Sequence, residues 1–353
     1  MSRSLWKQRL EVAMKPYIRP LTSLVEKDFI PRTQQSTGQI KAGVRHPSRF
    51  SGVILLSSLS HTRSPLIKTY GMRDYKKSLP FSAHTIFRLA SNTKIFTGIA
   101  IALLHEQKLL KVTDPVDKYL PHGLPPSPYR SQVTIHHLLT NTSGLARNPN
   151  YHPIQKLGFI AKPGSKYEYS NSNYLLLGSL IEKVTGLSYE SFIRKQLILP
   201  LKLHRTGFSD SMRRINGKAE EYVQVGPMLV PIHEDRFKLK SAASMYSTAT
   251  DMLKFNQRWH TLVKPSTISL INAKYQSHYS QLPEGRYGYG RILAADHSYW
   301  RHSGELGGTY SMNAVFPQHN VCLVFFSNIR PMFSQTLPLE LLRHLKQHVI
   351  DKN

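Results

Sequence analysis

Ala90-Ser91-Asn92-Thr93-Lys94 opens directly onto Ile95-Phe96-Thr97-Gly98-Ile99-Ala100-Ile101-Ala102-Leu103-Leu104. After its first turn this stretch is apolar on nearly every face, the pattern of a helix enclosed by protein. It predicts a buried helix from Ser91 to Gln107. It is also the longest nearly apolar run in the chain, and its ten residues fall short of the roughly 20 that a bilayer-spanning helix needs. Ser91 and Lys94 stand three apart, so a helix puts them on one face, one turn from each other. A serine hydroxyl becomes a nucleophile only when a base takes its proton. A lysine enclosed in apolar surroundings loses solvation, and its pKa falls toward neutrality. The positive end of the helix dipole disfavours the charged lysine and favours an oxyanion. Acyl transfer by serine needs these features together. A second Ser-x-x-Lys, Ser4-Leu5-Trp6-Lys7, lies in a polar, basic segment and is set aside because no apolar helix follows it.

Working outward, strand signals surround helical ones. Val53-Ile54-Leu55-Leu56 reads as a buried strand, and a second strand is expected from Leu66 to Tyr70, turning at Gly71. Helices are expected from Asn173 to Thr185, stopped by Gly186, and from Asp251 to Leu262. Strands return at Gly288–Ala294, Tyr310–Phe316 and Val321–Phe326, and a closing amphipathic helix runs from Leu337 to Ile350. With strands at both ends and helices between, the chain reads as an α/β (α+β) protein. Its mainly antiparallel sheet is built from both termini and flanked by helices, with an all-helical domain inserted. The expected boundaries are a basic extension with a short helix (about Leu21 to Ile30) over 1–40 and a catalytic domain over 41–353. Within that domain, 41–88 and 286–353 form the sheet part and 89–285 the helical part.

Two further motifs carry chemistry. Tyr169-Ser170-Asn171 follows a Pro163-Gly164 turn and precedes a helix, on a short connection from which side chains can reach a site. A tyrosine beside a lysine can shuttle a proton, and an asparagine amide can hold a substrate carbonyl. Equally, Asn171 or Ser172 could do no more than cap the next helix. His302-Ser303-Gly304-Glu305 lies between two expected strands, where the glycine lets a substrate lie close to the backbone. A backbone N–H just past Gly304 could join that of Ser91 as an oxyanion hole. Taken alone, His302 is one of 17 histidines and reads equally as a surface residue.

Taken together, Ser91-Asn92-Thr93-Lys94, Tyr169-Ser170-Asn171 and His302-Ser303-Gly304 resemble the serine β-lactamase and penicillin-binding family. The resemblance is to the branch of class C β-lactamases, D-alanyl-D-alanine carboxypeptidases and related esterases, in which Tyr-x-Asn takes the second place. Flanking stretches are also similar to the family, including Phe87–Lys94, Asp114–Pro121, Ile135–Leu145, Pro163–Gly178, Ala242–Phe255 and Tyr287–Asn328, so the likeness spans about residues 50 to 350. It implies a β-lactamase/transpeptidase-like fold and an acyl-enzyme on Ser91, with Lys94 and Tyr169 sharing the proton transfers. It also implies a substrate site formed by Asn171, His302, Ser303, Gly304 and Glu305, with neither cofactor nor metal. His302 stands where β-lactamases carry the lysine that helps hold a substrate carboxylate, which favours an esterase or D-Ala-type peptidase over an efficient β-lactamase. The resemblance implies an extracytoplasmic or periplasmic location, whereas the N-terminus shows no apolar signal segment.

Composition limits the rivals. The 353 residues carry 47 Lys and Arg against 21 Asp and Glu, a net charge of +26 spread along the chain with a mild excess at the front. Such a field favours anionic partners, of which an acidic cell-envelope polymer is one candidate. Nucleic acid remains a remote alternative, because no recognisable module is present and aromatic residues do not interleave with a basic stripe. Cys322, alone in the chain, sits in the apolar run Val321–Phe326 and reads as a small core hydrophobe, which excludes a disulfide framework and a cysteine-based zinc site. His136-His137 falls on a helical stretch similar to a structural segment of the family, and a metal role is not expected. The reading is a serine hydrolase acting on an ester, peptide or β-lactam carbonyl. Its alternative is a non-catalytic binding or self-assembling member of the same fold.

Overall fold

The computed structural model describes residues 44–45, 50–60, 64–148, 152–208, 212–226, 228–232, 239–273, 285–330 and 333–350. Seven strands make the main sheet: β1 (Gly52–Ser58), β2 (Leu66–Tyr70), β3 (Gly285–Tyr287), β4 (Ile292–Ala294), β5 (Trp300–Leu306), β6 (Thr309–Phe316) and β7 (Val321–Ser327). Their order across the sheet is β3-β4-β5-β6-β7-β1-β2, with every neighbouring pair antiparallel. The N-terminal strands therefore add to the edge of the C-terminal meander, and the sheet is assembled from both ends of the chain as expected.

Four helices matter for the site: α1 (Thr93–Glu106), α2 (Asn171–Thr185), α3 (Ala249–Arg258) and α4 (Phe333–Ile350). Side chains of a strand alternate between faces, and both faces of this sheet are covered. Ile54, Leu56, Met312, Phe316, Leu323 and Phe325 pack with Leu337, Leu341 and Leu345 of α4. Val53, Leu55, Val315, Val324 and Phe326 join the larger core built around α1, α2 and α3. This double covering explains why β1 and β6 are buried at every position and why they read as continuous apolar runs. Cys322 is fully buried on β7, and burial pushes its thiol up to about 12.

Several boundaries differ from the sequence reading for identifiable reasons. Ser91 is not within the α-helix but in a tighter turn, Ala90–Asn92, because Ala90 holds a left-handed φ of 46° that α-helical hydrogen bonding cannot continue through. α2 begins at Asn171 rather than Asn173, and its cap is Ser170, whose hydroxyl accepts the Ser172 N–H at 3.2 Å. The stretch expected as one strand, Gly288–Ala294, is a hairpin between β3 and β4. Gly290 turns it at φ 78°, and the Gly288 N–H donates to the Arg291 carbonyl at 2.8 Å. α3 ends at Arg258, and a 3-10 turn carries the chain through Trp259–Leu262. α4 starts four residues early, at Phe333. The inserted stretch carries a hairpin, Glu221–Val225 and Met228–Ile232, alongside its helices. The expected basic extension, its short helix and Ser4-Leu5-Trp6-Lys7 lie outside the described residues. No helix among the described residues is long and apolar enough to cross a membrane.

Candidate active site

Three separate pieces of chain meet at the start of α1. The first is the turn bearing Ser91, which is half-buried, while Lys94 one turn on is fully buried. The Lys94 Nζ lies 3.1 Å from Ser91 Oγ, 2.7 Å from Asn171 Oδ1 and 2.9 Å from the Ala242 carbonyl oxygen. Burial lowers the Lys94 pKa well below its ordinary 10.5, with no carboxylate hydrogen-bonded to it to resist the shift. A neutral amine has two N–H bonds and one lone pair. Asn171 Oδ1 and the Ala242 carbonyl can only accept, so they take the two N–H bonds. The lone pair is left for the Ser91 hydroxyl, and this is the arrangement in which a lysine can remove the serine proton.

The second piece is the connection from Tyr169 to Asn171. Asn171, which the sequence reading left between substrate contact and helix cap, is the first residue of α2 and a direct partner of Lys94. The Tyr169 ring passes 4.9 Å from Nζ and the Tyr174 ring 5.4 Å from it, so the amine sits among aromatic faces and uncharged polar groups. Tyr169 is half-buried, as is suitable for a group that exchanges protons at the edge of an enclosed site.

The third piece is β5. Pairing of β4 with β5 stops at Arg301, so β4 does not extend along the edge from His302 to Leu306. A Cβ on Gly304 would lie 2.6 Å from the Ser91 backbone nitrogen and 2.5 Å from the Leu89 carbonyl oxygen. Only glycine lets β5 close on the serine turn, and this brings the Ser91 N–H and the strand edge together. His302 is 3% exposed and far from a surface histidine. Its Nδ1 lies 2.6 Å from the Ser303 carbonyl oxygen, an acceptor only, so Nδ1 carries the proton; Nε2 then accepts the Tyr287 hydroxyl at 2.8 Å. Burial, with the nearby Lys94 as a second cause, pulls the His302 pKa down to about 3. The ring is neutral at ordinary pH. Ser303 is half-buried, and Glu305 is exposed and pairs with Arg330 Nε at 2.9 Å.

The sequence reading missed the residues that hold these pieces together. Ser311 on β6 donates to the Leu89 carbonyl at 2.7 Å and receives Asn92 Nδ2 at 2.8 Å, which pins the serine turn to the sheet. The Met245 N–H donates to Thr93 Oγ1 at 3.2 Å, and the Leu89 N–H to the Met245 carbonyl at 2.8 Å. These bonds help to hold Ala90 in its left-handed conformation, which costs about 1–3 kcal/mol for a residue other than glycine. Tyr287, the partner of His302, left one faint trace, the alternation Tyr287-Gly288-Tyr289-Gly290. His136 uses Nδ1 on the Tyr289 hydroxyl at 3.1 Å, and His137 closes a capping box with Thr134. Among the described residues no three His, Cys, Asp or Glu side chains are grouped as metal ligands would be.

This fold and this arrangement define a class, the proteins of the β-lactamase/transpeptidase fold. The Beta-lactamase family model matches residues 57–345, and the chain belongs to that family. Among curated relatives, protein flp of Staphylococcus aureus (strain NCTC 8325 / PS 47) is 29% identical over 306 residues, covering 81% of this chain and 60% of flp. The chain thus spans about three fifths of that relative's length. The putative penicillin-binding protein PbpX of Bacillus subtilis (strain 168) is 29% identical over 274 residues, 74% of this chain and 67% of PbpX. Among solved structures, the octameric penicillin-binding protein homologue of Pyrococcus abyssi superposes with a TM-score of 0.71 at 26% identity, over 83% of this chain and 74% of that one. The D-amino acid amidase of Ochrobactrum anthropi, at 19% identity and a TM-score of 0.73 over 86% of this chain and 95% of its own, shares the fold.

Proposed function

We propose that this protein cleaves an ester or amide carbonyl through an acyl-enzyme on Ser91, as an esterase or D-Ala-type peptidase in preference to an efficient β-lactamase. The observation that carries the reading is the enclosed Lys94 amine, its pKa lowered by burial and its Nζ 3.1 Å from Ser91 Oγ. Ser91 attacks the carbonyl carbon while Lys94 takes the hydroxyl proton. The carbonyl oxygen, now negative, is received by the Ser91 N–H and a backbone N–H of the β5 edge. Tyr169 passes a proton to the leaving group, which departs as an alcohol or amine. Water then attacks the acyl carbon, gives up its proton to the same pair of bases, and releases the acid and free Ser91. Asn171 holds Lys94 in place through its Oδ1 and is assigned the positioning of the substrate. The neutral His302 shapes the wall opposite.

A panel of p-nitrophenyl esters, nitrocefin and D-Ala-D-Ala peptides, run beside Ser91→Ala, tests the reading. Ester or peptide turnover well above that of Ser91→Ala, with weak nitrocefin hydrolysis, is expected. A fluorescent phosphonate should label wild type and not the variant. Equal labelling of the two, or no turnover above the variant, would favour a non-catalytic binding role.

A further inference from the structure

Tyr169 lies outside every strand and helix, on the connection that leads into α2. A side chain on such a segment is placed only as well as the backbone on either side of it. Here both flanks are held by one residue. The Glu168 N–H donates to the Asn141 backbone carbonyl at 2.9 Å, and the Ser170 N–H donates to Asn141 Oδ1 at 3.2 Å. Asn141 is fully buried and lies 29 residues before Ser170, just past the short helix Ile135–Leu139. Its side chain is fixed in turn. Asn173 of α2 donates Nδ2 to the same Oδ1 at 3.0 Å, and Asn173 Oδ1 receives the Ser143 hydroxyl at 2.7 Å. A backbone N–H can only donate, so the atom of Asn141 that faces Ser170 is its oxygen. Asn141 Nδ2 is then enclosed with no acceptor among the described residues. The backbone at Asn141 is left-handed, with φ 56°, a conformation that glycine takes most readily. Glycine would keep this turn and spare the unmet N–H, which is costly when buried. What asparagine adds is the acceptor for Ser170.

We infer that Asn141 is a positioning residue for Tyr169, clamping the chain on both sides of it so that the phenol meets the leaving group. This rests on the acyl-enzyme reading above. The hydrogen bonds of Asn141 go to the residues flanking Tyr169 and to Asn173, so it acts through Tyr169. An alkoxide leaving group must take a proton as its C–O bond breaks. Tyr169 gives that proton and recovers one from Lys94, which took it from Ser91. A 4-nitrophenolate needs no such help, because it departs as the anion. Loosening the clamp therefore harms alkyl esters and largely spares activated aryl esters.

The test compares kcat/KM for ethyl butyrate and 4-nitrophenyl butyrate, which share one acyl group. Asn141→Gly keeps the turn and the backbone carbonyl and removes Oδ1. It should lower kcat/KM by about tenfold to a hundredfold on the ethyl ester and by under about threefold on the aryl ester. Asn141→Asp keeps an acceptor for the Ser170 N–H, and the ratio of the two esters should stay within about threefold of wild type. Each ratio is taken within one preparation, so it does not depend on the folded fraction. Should Asn141→Gly not fold, Asn141→Ala, holding the left-handed turn as Ala90 does, takes its place. In a Tyr169→Phe background the truncation should cost nothing further on the ethyl ester, since the group it positions is gone. Equal losses on both esters, no loss on either, an aspartate variant whose ratio falls as far as that of the glycine variant, or a full further loss in the Tyr169→Phe background overturns the inference and leaves the acyl-enzyme reading standing. If neither ester is hydrolysed faster by wild type than by Ser91→Ala, the acyl-enzyme reading fails and the inference fails with it.

Discussion

Among the described residues two basic side chains, Lys94 and Arg291, are completely enclosed, and the protein treats them in opposite ways. Lys94 has three hydrogen-bond partners, none of them charged. Arg291 is likewise fully buried, yet none of its three guanidinium nitrogens has a hydrogen-bond partner among the described residues. It lies instead between two indoles, 4.8 Å from the Trp259 ring and 4.3 Å from the Trp300 ring. Burial drives the Lys94 pKa far down, whereas it brings Arg291 only to about 9. The lysine is thereby made readier to release its proton, as a base must be. The arginine keeps its charge, spread over a planar group that aromatic faces can solvate. Enclosure alone does not make a base; it needs an ammonium, which sheds its proton readily when it is dehydrated.

The severest way to break this contrast is Lys94→Arg, which places the persistent cation where the base stands. Ester turnover should fall by about 10²–10⁴-fold, the usual worth of general-base catalysis. Retention within tenfold in initial-rate assays would mean that Lys94 is not the base. In wild type, kcat/KM should rise with pH as Lys94 loses its proton and reach its plateau well short of the ordinary 10.5.

Acid tests the claim that burial keeps two imidazoles of this interior neutral. His302 is held down to about 3 and His136 to about 4, against an ordinary 6.5. Between those values the unfolded chain binds protons that the folded chain refuses. Stability from these two rings is therefore whole above about 6.5 and is lost as the pH falls toward 4 and below. The melting temperature should decline from pH 7 to pH 4, and less steeply in His302→Gln. A flat profile, or one unchanged by that substitution, contradicts the neutral assignment.

The indole sandwich can be probed by size and charge separately. Arg291→Ala leaves a gap between two rings and should cost about 2–4 kcal/mol in urea unfolding. Arg291→Met keeps most of the volume and removes an unpaired charge, so its cost should stay under about 1.5 kcal/mol. Equal losses would mean that the charge, not the packing, matters there. A similarly small effect is expected for Tyr287→Phe, which deprives His302 Nε2 of its donor at a cost of about 1–2 kcal/mol, read from the same unfolding curves.

The residues named from the sequence were legible because each belongs to a short motif with its own local logic. Ser91 and Lys94 are one turn apart whatever surrounds them, and the apolar run behind them announces enclosure. The β-runs at both ends were equally plain, since strands covered on both faces lose their alternation. Boundaries were less so. The tight turn at Ser91 depends on Ala90 adopting a φ of 46°, held by contacts with Ser311 and Met245 that lie more than 150 residues away. His302 could not be told from a surface histidine without Tyr287, and the hairpin at Gly288–Arg291 was hidden inside an apparently continuous strand. Asn171 read equally as a cap, and only the lysine beside it made it part of the site.

By itself, then, the sequence determined which chemical groups this protein has and the local geometry of each, because helical spacing, strand periodicity and turn chemistry are written in neighbouring residues. Tertiary structure alone decided their charge states and partners. Whether Lys94 is an amine, whether His302 is spoken for, and which way Glu305 turns its carboxylate all depend on desolvation and on atoms supplied from distant segments. Those quantities do not exist until the chain has closed around them.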